Sequence, residues 1–402
     1  MRIVHVITRL IVGGAQENTL LSCEGQHGRG HDVTLITGPA VGPEGSLMDR
    51  ATSYGYRVEV VPMGRAIRPI ADWRAYKQLV RGLVELRPDV VHTHSSKAGI
   101  IGRWAAHEAG RIIAKQGGVR PAVVHTIHGL AFTASTKRSV NKVYEWLERR
   151  AAPISDAIVC VATAMAEQSL AARIGRPEQY MTVYSGMETR AFVDPPVTRA
   201  EVRRSLGMAD DDLVAGTIAR LFYLKGHDDL LAMAPRLCAQ FPRLKFMFVG
   251  DGLLRPQFEQ RIADMHLTDR FILTGLVPPS QIPQLVNAMD ILVHPSRREG
   301  LARAIPQGGL AAIPVVTYDV DGNREGLLEG QSGWAVKAFD IFELERRLAE
   351  LAGDPEKRRR MGEAGRRFAL GRFDTRVMVE ALEKVYADAV ASVGGGSGPV
   401  SR

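Results

Sequence analysis

The stretch DILVHPSRREGLARAIPQGGLAAIPVVTYDVDGNREGL, residues 290–327, holds the densest set of residues able to do chemistry. An apolar run ends in His294-Pro295-Ser296, and Glu299-Gly300 then leads into a helix expected to stop near Gly309. Backbone N–H groups of Gly300, Leu301 and Ala302 at such a helix start suit an anionic ligand, while Glu299 has the position of a helix-capping carboxylate. A second stretch, GTIARLFYLKGHDDLL at 216–231, places Arg220 at a strand end and Lys225 five residues on, before a helix starting near Asp228. This pair suits a pyrophosphate, since a guanidinium grips two oxygens at once and an ammonium adds a point charge.

Three weaker signals accompany them. TRLIVGGAQENTL, residues 8–20, sets Gly13 and Gly14 in a strand-to-helix turn, with a helix from Gln16 whose N-terminus attracts anions. It is not G-x-G-x-x-G and has no evident acidic ribose partner, which disfavours an NAD site. FVGDGLLRPQF, residues 248–258, repeats the strand–turn–helix plan, with Gly250 and Gly252 allowing either a ligand's approach or a sharp turn. In VVHTHSSKAG and VVHTIHGLAF, His92 and His94 share one strand face. His92 and His125 read as satisfied buried histidines. His128, just past a strand and before Gly129, can instead meet a hydroxyl or phosphate.

These residues need strand ends to hold them, and the sequence supplies a series. Short β-branched runs alternate with longer amphipathic stretches, the signature of parallel α/β construction. Strands are expected at 2–8, 32–37, 57–62, 90–94, 123–128, 157–162 and 181–184. The pattern restarts at 213–219, 245–250, 271–274, 291–294, 315–318 and 334–336. Runs such as DVV, AIVCV and IPVV suit strands covered on both faces. YSGMETRAFVDPPVT, residues 184–198, reads as an interdomain connection. The expected plan is a first Rossmann-like domain over 1–190, a second over 191–374, a helix at 375–391 and a disordered tail at 392–402. Two doubly wound sheets would present their strand carboxyl ends to a cleft. The segment 137–150 has Val140, Val143, Tyr144, Leu147 and Ala151 at helical spacing, read as a core stripe rather than an interfacial face.

Composition sets the outer limits. The chain has 402 residues, 45% hydrophobic and 24% charged, which excludes wholesale disorder. Three cysteines (Cys23, Cys160, Cys238) without a C-x-x-C pair point to a reducing cytoplasm and no structural metal. No apolar run reaches the ~18–20 residues of a membrane span. Residues 1–190 carry 24 Lys+Arg against 16 Asp+Glu, while residues 191–402 carry 28 of each. The whole excess of +8 therefore lies in the first half, which favours an anionic partner there. No module or aromatic platform points to nucleic acid.

Taken in order, GGAQE, VVHTIHG, ARLFYLKG, VGDGLLR and PSRREGLARAIPQGG…PVVTYDVDGNRE resemble the motifs of the retaining, metal-independent group 1 nucleotide-sugar glycosyltransferases. The resemblance runs from residue 1 to about 390. It implies the GT-B architecture, α/β with two facing Rossmann-like parallel-sheet domains, and sugar transfer from a UDP- or GDP-type donor with no further cofactor and no metal. It implies that Arg220 and Lys225 bind the diphosphate, that His128 meets the donor sugar, and that Glu299 lies near its hydroxyls. Gly250, Gly300, Leu301 and Ala302 fall in the donor site, and Gly13, Gly14 and Gln16 in a loop over the phosphates and acceptor. Gln307 stands where the family's Glu, seven residues, Glu motif has its second carboxylate, which normally accepts from the donor ribose. Its amide keeps an acceptor but loses the charge, so altered donor binding is expected rather than loss of chemistry. The implied acceptor is a sugar or lipid-linked glycan of the cell envelope, met by the basic first domain at the inner face of the plasma membrane. A non-catalytic nucleotide-sugar-binding protein and a nucleotide-sugar epimerase of the same fold are the alternatives.

Overall fold

A computed structural model of the chain describes residues 1–40, 45–133 and 136–394. The chain forms two compact units, one of Met1–Met187 rejoined by the chain from Thr375 onward, the other of Glu188–Asp374. In the first unit β1 (Arg2–Ile7), β2 (Asp32–Thr37), β3 (Arg57–Val60), β4 (Val90–His94), β5 (Ala122–Ile127), β6 (Ala157–Cys160) and β7 (Tyr180–Thr182) make one sheet. Its order is β3-β2-β1-β4-β5-β6-β7, with every pairing parallel. In the second, β8 (Leu213–Ile218), β9 (Leu244–Val249), β10 (Phe271–Gly275), β11 (Ile291–His294), β12 (Val315–Asp319) and β13 (Gly333–Lys337) are ordered β10-β9-β8-β11-β12-β13, again parallel throughout. Every expected strand is present, with ends moved by at most about two residues, the ordinary uncertainty of such boundaries.

The apolar runs become strands because both sheet faces are covered. β4, β5 and β6 bury all their residues. In the first unit, Val4, Val6, Val91 and Val123 pack on one face against Ala75, Leu79, Leu83, Ala105 and Ala109 of the helices Pro69–Leu86 and Ser96–Lys115. Ile3, Val90, Val124 and Val159 pack on the other against Met378, Val379, Leu382, Val385 and Tyr386 of the helix Thr375–Gly394. Alternate side chains of β1 thus serve opposite cores, as the two-residue strand period requires. The second unit buries Phe246 and Phe248 with Leu230, Leu237, Tyr318 and Leu344. Of the expected tail, 392–394 continue the last helix and 395–402 lie outside the described residues.

The core reading of residues 137–150 does not hold. They form the helix Arg138–Ala151, but of the apolar stripe Ala151 alone is buried. Val140, Val143 and Trp146 are 39%, 57% and 53% exposed. Periodicity showed one apolar face; nothing in it required that face to be covered.

The helix Thr375–Gly394 completes the core of the first unit, and Leu382 is only 3% exposed. Leu382→Ala should therefore cost about 2–5 kcal/mol of stability. A lower urea midpoint is expected, with faster amide exchange in β1, β4 and β5 and unchanged exchange in β8–β13.

Candidate active site

In each sheet the strand order reverses once, between β1 and β4 and between β8 and β11. Ligand sites of doubly wound sheets form at the strand carboxyl ends beside such a reversal. The chemistry-bearing residues of each unit fall there.

In the second unit, Arg220 lies two residues beyond β8, with an exposed side chain that has no hydrogen bond or ion pair among the described residues. The Gly250-Asp251-Gly252 turn holds its segment. Leu221 N–H donates to the Asp251 carbonyl at 3.0 Å, and Leu254 N–H to the Leu221 carbonyl at 3.1 Å. A Cβ on Gly250 would lie 2.3 Å from the Ala219 carbonyl oxygen, and one on Gly252 2.4 Å from that of Leu221. Both glycines therefore serve the chain's own close approach, whatever they offer a ligand.

Lys225 ends a short 3-10 turn, Tyr223–Lys225. The following Gly226 has φ +73°, and a Cβ there would sit 2.0 Å from the Pro295 carbonyl oxygen. Arg297 N–H donates to the Leu224 carbonyl at 2.8 Å, so the loops after β8 and β11 are tied together. The result is an ion pair, Lys225 Nζ to Glu299 Oε1, at 2.5 Å. His294 Nε2 lies 3.0 Å from the same oxygen; a carboxylate only accepts, so that nitrogen carries a proton. Glu299 N–H donates to Asp321 Oδ2 at 2.8 Å.

Burial pushes the Glu299 carboxyl up, but the Lys225 charge and then the His294 and Lys225 hydrogen bonds outweigh it. The group lies well below the usual carboxylate range. Glu299 is thus a fixed anion, five residues before the nearest helix and not its cap. Beside it, burial among Phe248 and Phe258, helped by His294 and Lys225, lowers His227 to about 3. That imidazole is neutral. Asp229 accepts from Arg297 Nη2 and from the Tyr318 hydroxyl, both at 2.9 Å.

The helix expected from residue 300 begins instead at Ala304 and runs to Leu310. Gly300, Leu301 and Ala302 form the turn before it. The Ala302 N–H is taken by Asn323 Oδ1 at 3.1 Å, and the Gly300 carbonyl accepts from Gly322 N–H at 2.8 Å. Pro306 falls in the first helical turn, where its missing N–H costs little. Gln307, half-buried, is one residue further on.

In the first unit the helix begins at Gly14, two residues earlier than expected, with Gly13 before it and Gln16 in its first turn. Ala15 lines a cavity of about 290 Å³ together with Ser95, His128, Gly129, Phe132 and Glu148. Thr8 Oγ1 and Ser95 Oγ, at the ends of β1 and β4, are 2.7 Å apart. Ser95 has φ +64°, a backbone conformation that costs on the order of 1–3 kcal/mol and clusters at functional sites. His128 Nε2 lies 3.1 Å from His94 Nδ1, which ties it to a group of buried histidines. His5, His92 and His94 could between them surround a metal ion, yet each of their ring nitrogens already has a protein hydrogen-bond partner.

The structure thus joins Lys225 to Glu299, places Arg220 on the adjoining strand end, and puts His128 in the cavity that the Gly13–Gln16 turn reaches through Ala15. The sequence alone gives His294 only a place at a strand end and Asp321 one in an acidic loop, and it assigns neither these nor Asn323 a role in the site. The role of His294 was within reach of the sequence, since it ends a strand five residues before a carboxylate. The other two touch the site only through the packing of the loop after β12.

The sequence profile of the group 1 glycosyl transferases matches residues 198–368, and that of a glycosyl transferase 4-like domain matches residues 13–186. An Escherichia coli protein named UDP-Gal:alpha-D-GlcNAc-diphosphoundecaprenol alpha-1,3-galactosyltransferase is 28% identical, over 88% of each chain. The alpha-D-kanosaminyltransferase of Streptomyces kanamyceticus is 25% identical over 96% of this chain and 99% of its own. Among solved structures, Anabaena HepE in complex with UDP-glucose superposes with a TM-score of 0.79 at 21% identity, over 96% of this chain and 100% of that one. The two profiles between them span both units: the first unit is similar to the glycosyl transferase 4-like domain and the second to the group 1 glycosyl transferases, so the chain is a glycosyltransferase with a fold of two Rossmann-like parallel-sheet domains.

Proposed function

We propose that this glycosyltransferase moves a sugar from a UDP-linked donor to a lipid-linked acceptor, with retention and without a metal ion. The observation that carries the reading is the cation arrangement at the β8 and β11 ends: an exposed Arg220 and a Lys225 oriented by Glu299. As the bond from the sugar C1 to the diphosphate breaks, negative charge collects on the leaving oxygens. An ammonium has three donors. Lys225 uses one on Glu299, its single partner among the described residues, and keeps two for the diphosphate. Arg220 adds a bidentate grip, and such preset charges act without reorganising when the charge develops. His294 and Asp321 hold Glu299 from its other sides and so fix where Lys225 points.

A UDP-type donor is supported by the names of the Escherichia coli relative and the Anabaena neighbour. Gln307 would meet the ribose through one neutral carbonyl. A hydrogen bond to a neutral group contributes about 0.5–1.5 kcal/mol against about 1.5–3 for one to a charged group, so it weakens donor binding and leaves the diphosphate contacts in place.

A membrane-facing acceptor is supported by two surfaces of the first unit. On the helix Arg138–Ala151, exposed Val140, Val143 and Trp146 stand among Arg138, Lys142 and Arg150. Near the start of the helix Pro69–Leu86, Ile67, Ile70 and Trp73 are 78%, 72% and 61% exposed among Arg65, Arg68, Arg74 and Lys77. Tryptophan and aliphatic side chains bordered by cations are the composition of a surface that lies on anionic lipid. No described helix is long and apolar enough to cross a membrane.

Two measurements test this. Transfer from a panel of UDP- and GDP-sugars onto diphosphate-linked lipid should proceed in excess chelator with UDP-sugars, giving a product of unchanged anomeric configuration. Arg220→Ala and Lys225→Ala should each lower kcat by about 10²–10³; full activity in both would remove their assignment. Flotation with phosphatidylglycerol vesicles at low salt should carry the wild-type protein up, and the double variant Trp73→Ser, Trp146→Ser should stay behind. Wild type that remains at the bottom ends the membrane reading.

A further inference from the structure

Next to His128 the first unit holds a continuous chain of hydrogen bonds that the transfer chemistry does not use. His128 Nε2 is 3.1 Å from His94 Nδ1, and His94 Nε2 is 2.9 Å from His5 Nδ1. His5 Nε2 is 2.8 Å from Gln26 Oε1, and Gln26 Nε2 donates to the Tyr386 hydroxyl at 3.1 Å. Tyr386 Oη is 2.6 Å from His92 Nδ1, and His92 Nε2 is 2.6 Å from Thr126 Oγ1. His5, His92, His94, Gln26 and Tyr386 are at most 1% exposed. The residues come from β1, the helix Gly14–Gly28, β4, β5 and the helix Thr375–Gly394.

Each bond in such a chain dictates the next. The Gln26 amide donates to Tyr386, so its carbonyl faces His5, and a carbonyl only accepts. His5 Nε2 therefore carries a proton. Burial lowers the pKa of His5 to about 4 and drives those of His92 and His94 well below the usual value, with the neighbouring imidazoles adding to the effect on these two. Each ring therefore has a single proton. The bare His5 Nδ1 must accept from His94 Nε2–H, and the bare His94 Nδ1 must accept from His128 Nε2–H. On the other arm the Tyr386 hydroxyl donates to His92 Nδ1, and His92 Nε2–H donates to Thr126. Reversing any one bond leaves two donors or two acceptors facing each other in a dry interior, which costs the desolvation of both groups. The chain reverses as a whole or not at all.

We propose that the relay Tyr386–Gln26–His5–His94 fixes which ring nitrogen of His128 carries its proton, and that these four are positioning residues for the cavity His128 lines. His128 donates Nε2–H inward. Its Nδ1 then has the lone pair, and in the neutral ring it accepts from a hydroxyl rather than donating to a phosphate oxygen. The ligand chemistry selected at that nitrogen is a sugar hydroxyl. This last step rests on the proposed role of His128 in donor binding; the relay itself does not.

The test is imidazole ¹⁵N NMR of the full-length protein labelled on histidine. Wild type should show His128 as a single Nε2–H tautomer, with its two ring nitrogens widely separated in shift. Tyr386→Phe removes the partner that orients the Gln26 amide, and Gln26→Met removes the amide at similar volume. Either should draw the two His128 shifts together as the tautomers average, while His107 and His266 keep theirs as a check on the fold. An averaged or Nδ1–H pattern in wild type overturns the proposal, as does an unaveraged His128 in both folded variants. If Gln26→Met does not fold, Tyr386→Phe, which loses one oxygen, decides alone. Donor turnover separates the two readings. Averaging in Tyr386→Phe with a lowered kcat for UDP-sugar transfer supports both. A changed tautomer beside full activity in His128→Ala keeps the relay and removes His128 from the transfer site.

Discussion

One reversal of strand order in each sheet governs where this protein can do chemistry. A parallel strand must be followed by a crossover, and crossovers are right-handed. From the point of reversal, successive helices leave for opposite faces, and the loops at the carboxyl ends part. In the first unit that point lies between β1 and β4, and its loops carry Thr8, Ser95 and, just past β5, His128. In the second it lies between β8 and β11, whose carboxyl ends and following loops carry Arg220, Lys225, His294 and Glu299. Neither set is contiguous in sequence. Each is assembled by strand order alone.

Within the second unit the Lys225–Glu299 pair shows how position does more than net charge. The half of the chain from residue 191 onward is electrically neutral, with 28 basic and 28 acidic side chains. Its many surface pairs cancel one another and contribute little each. Glu299, at 15% side-chain exposure, instead carries the desolvation cost of a partly buried anion, offset by Lys225 and His294. Such a pair holds a cation in one place even where its net stabilisation is small. The local glycines serve the same end: without Gly226 against Pro295, the loop bearing Lys225 could not reach the loop bearing Glu299.

Much of this was legible in the sequence because burial on both faces writes strands as apolar runs, and Gly-rich turns mark where they stop. The readings that went astray share a cause: they depended on what a segment meets, which the local sequence does not contain. Val140 and Val143 recur at helical spacing whether or not another layer covers them, and among the described residues both are left exposed. The stretch from Gly300 to Ala302 resembles a helix start, yet Asn323 takes the Ala302 N–H and the helix waits until Ala304. His92 and His94 could be placed on one strand face by alternation. Their partner His5 comes 87 residues before His92, and only the β1–β4 pairing, with His5 opposite His92, brings it beside them.

That pairing also explains why the chain returns to its first unit at the end. Met378, Leu382 and Val385 would suffice to cover an apolar sheet face, and any leucine-rich helix could do so. Tyr386 is different. Among the described residues its hydroxyl is the one group that both receives the Gln26 amide proton and reaches His92, so a purely apolar helix there would leave the Gln26 amide nitrogen and His92 Nδ1 each facing hydrocarbon. A buried polar group without a partner costs more than the hydrogen bond it lost. The histidines on β1 and β4 and the tyrosine on the last helix therefore require one another. Through His94 that mutual requirement extends to His128, so the final helix of the chain takes part in setting the polarity of the cavity.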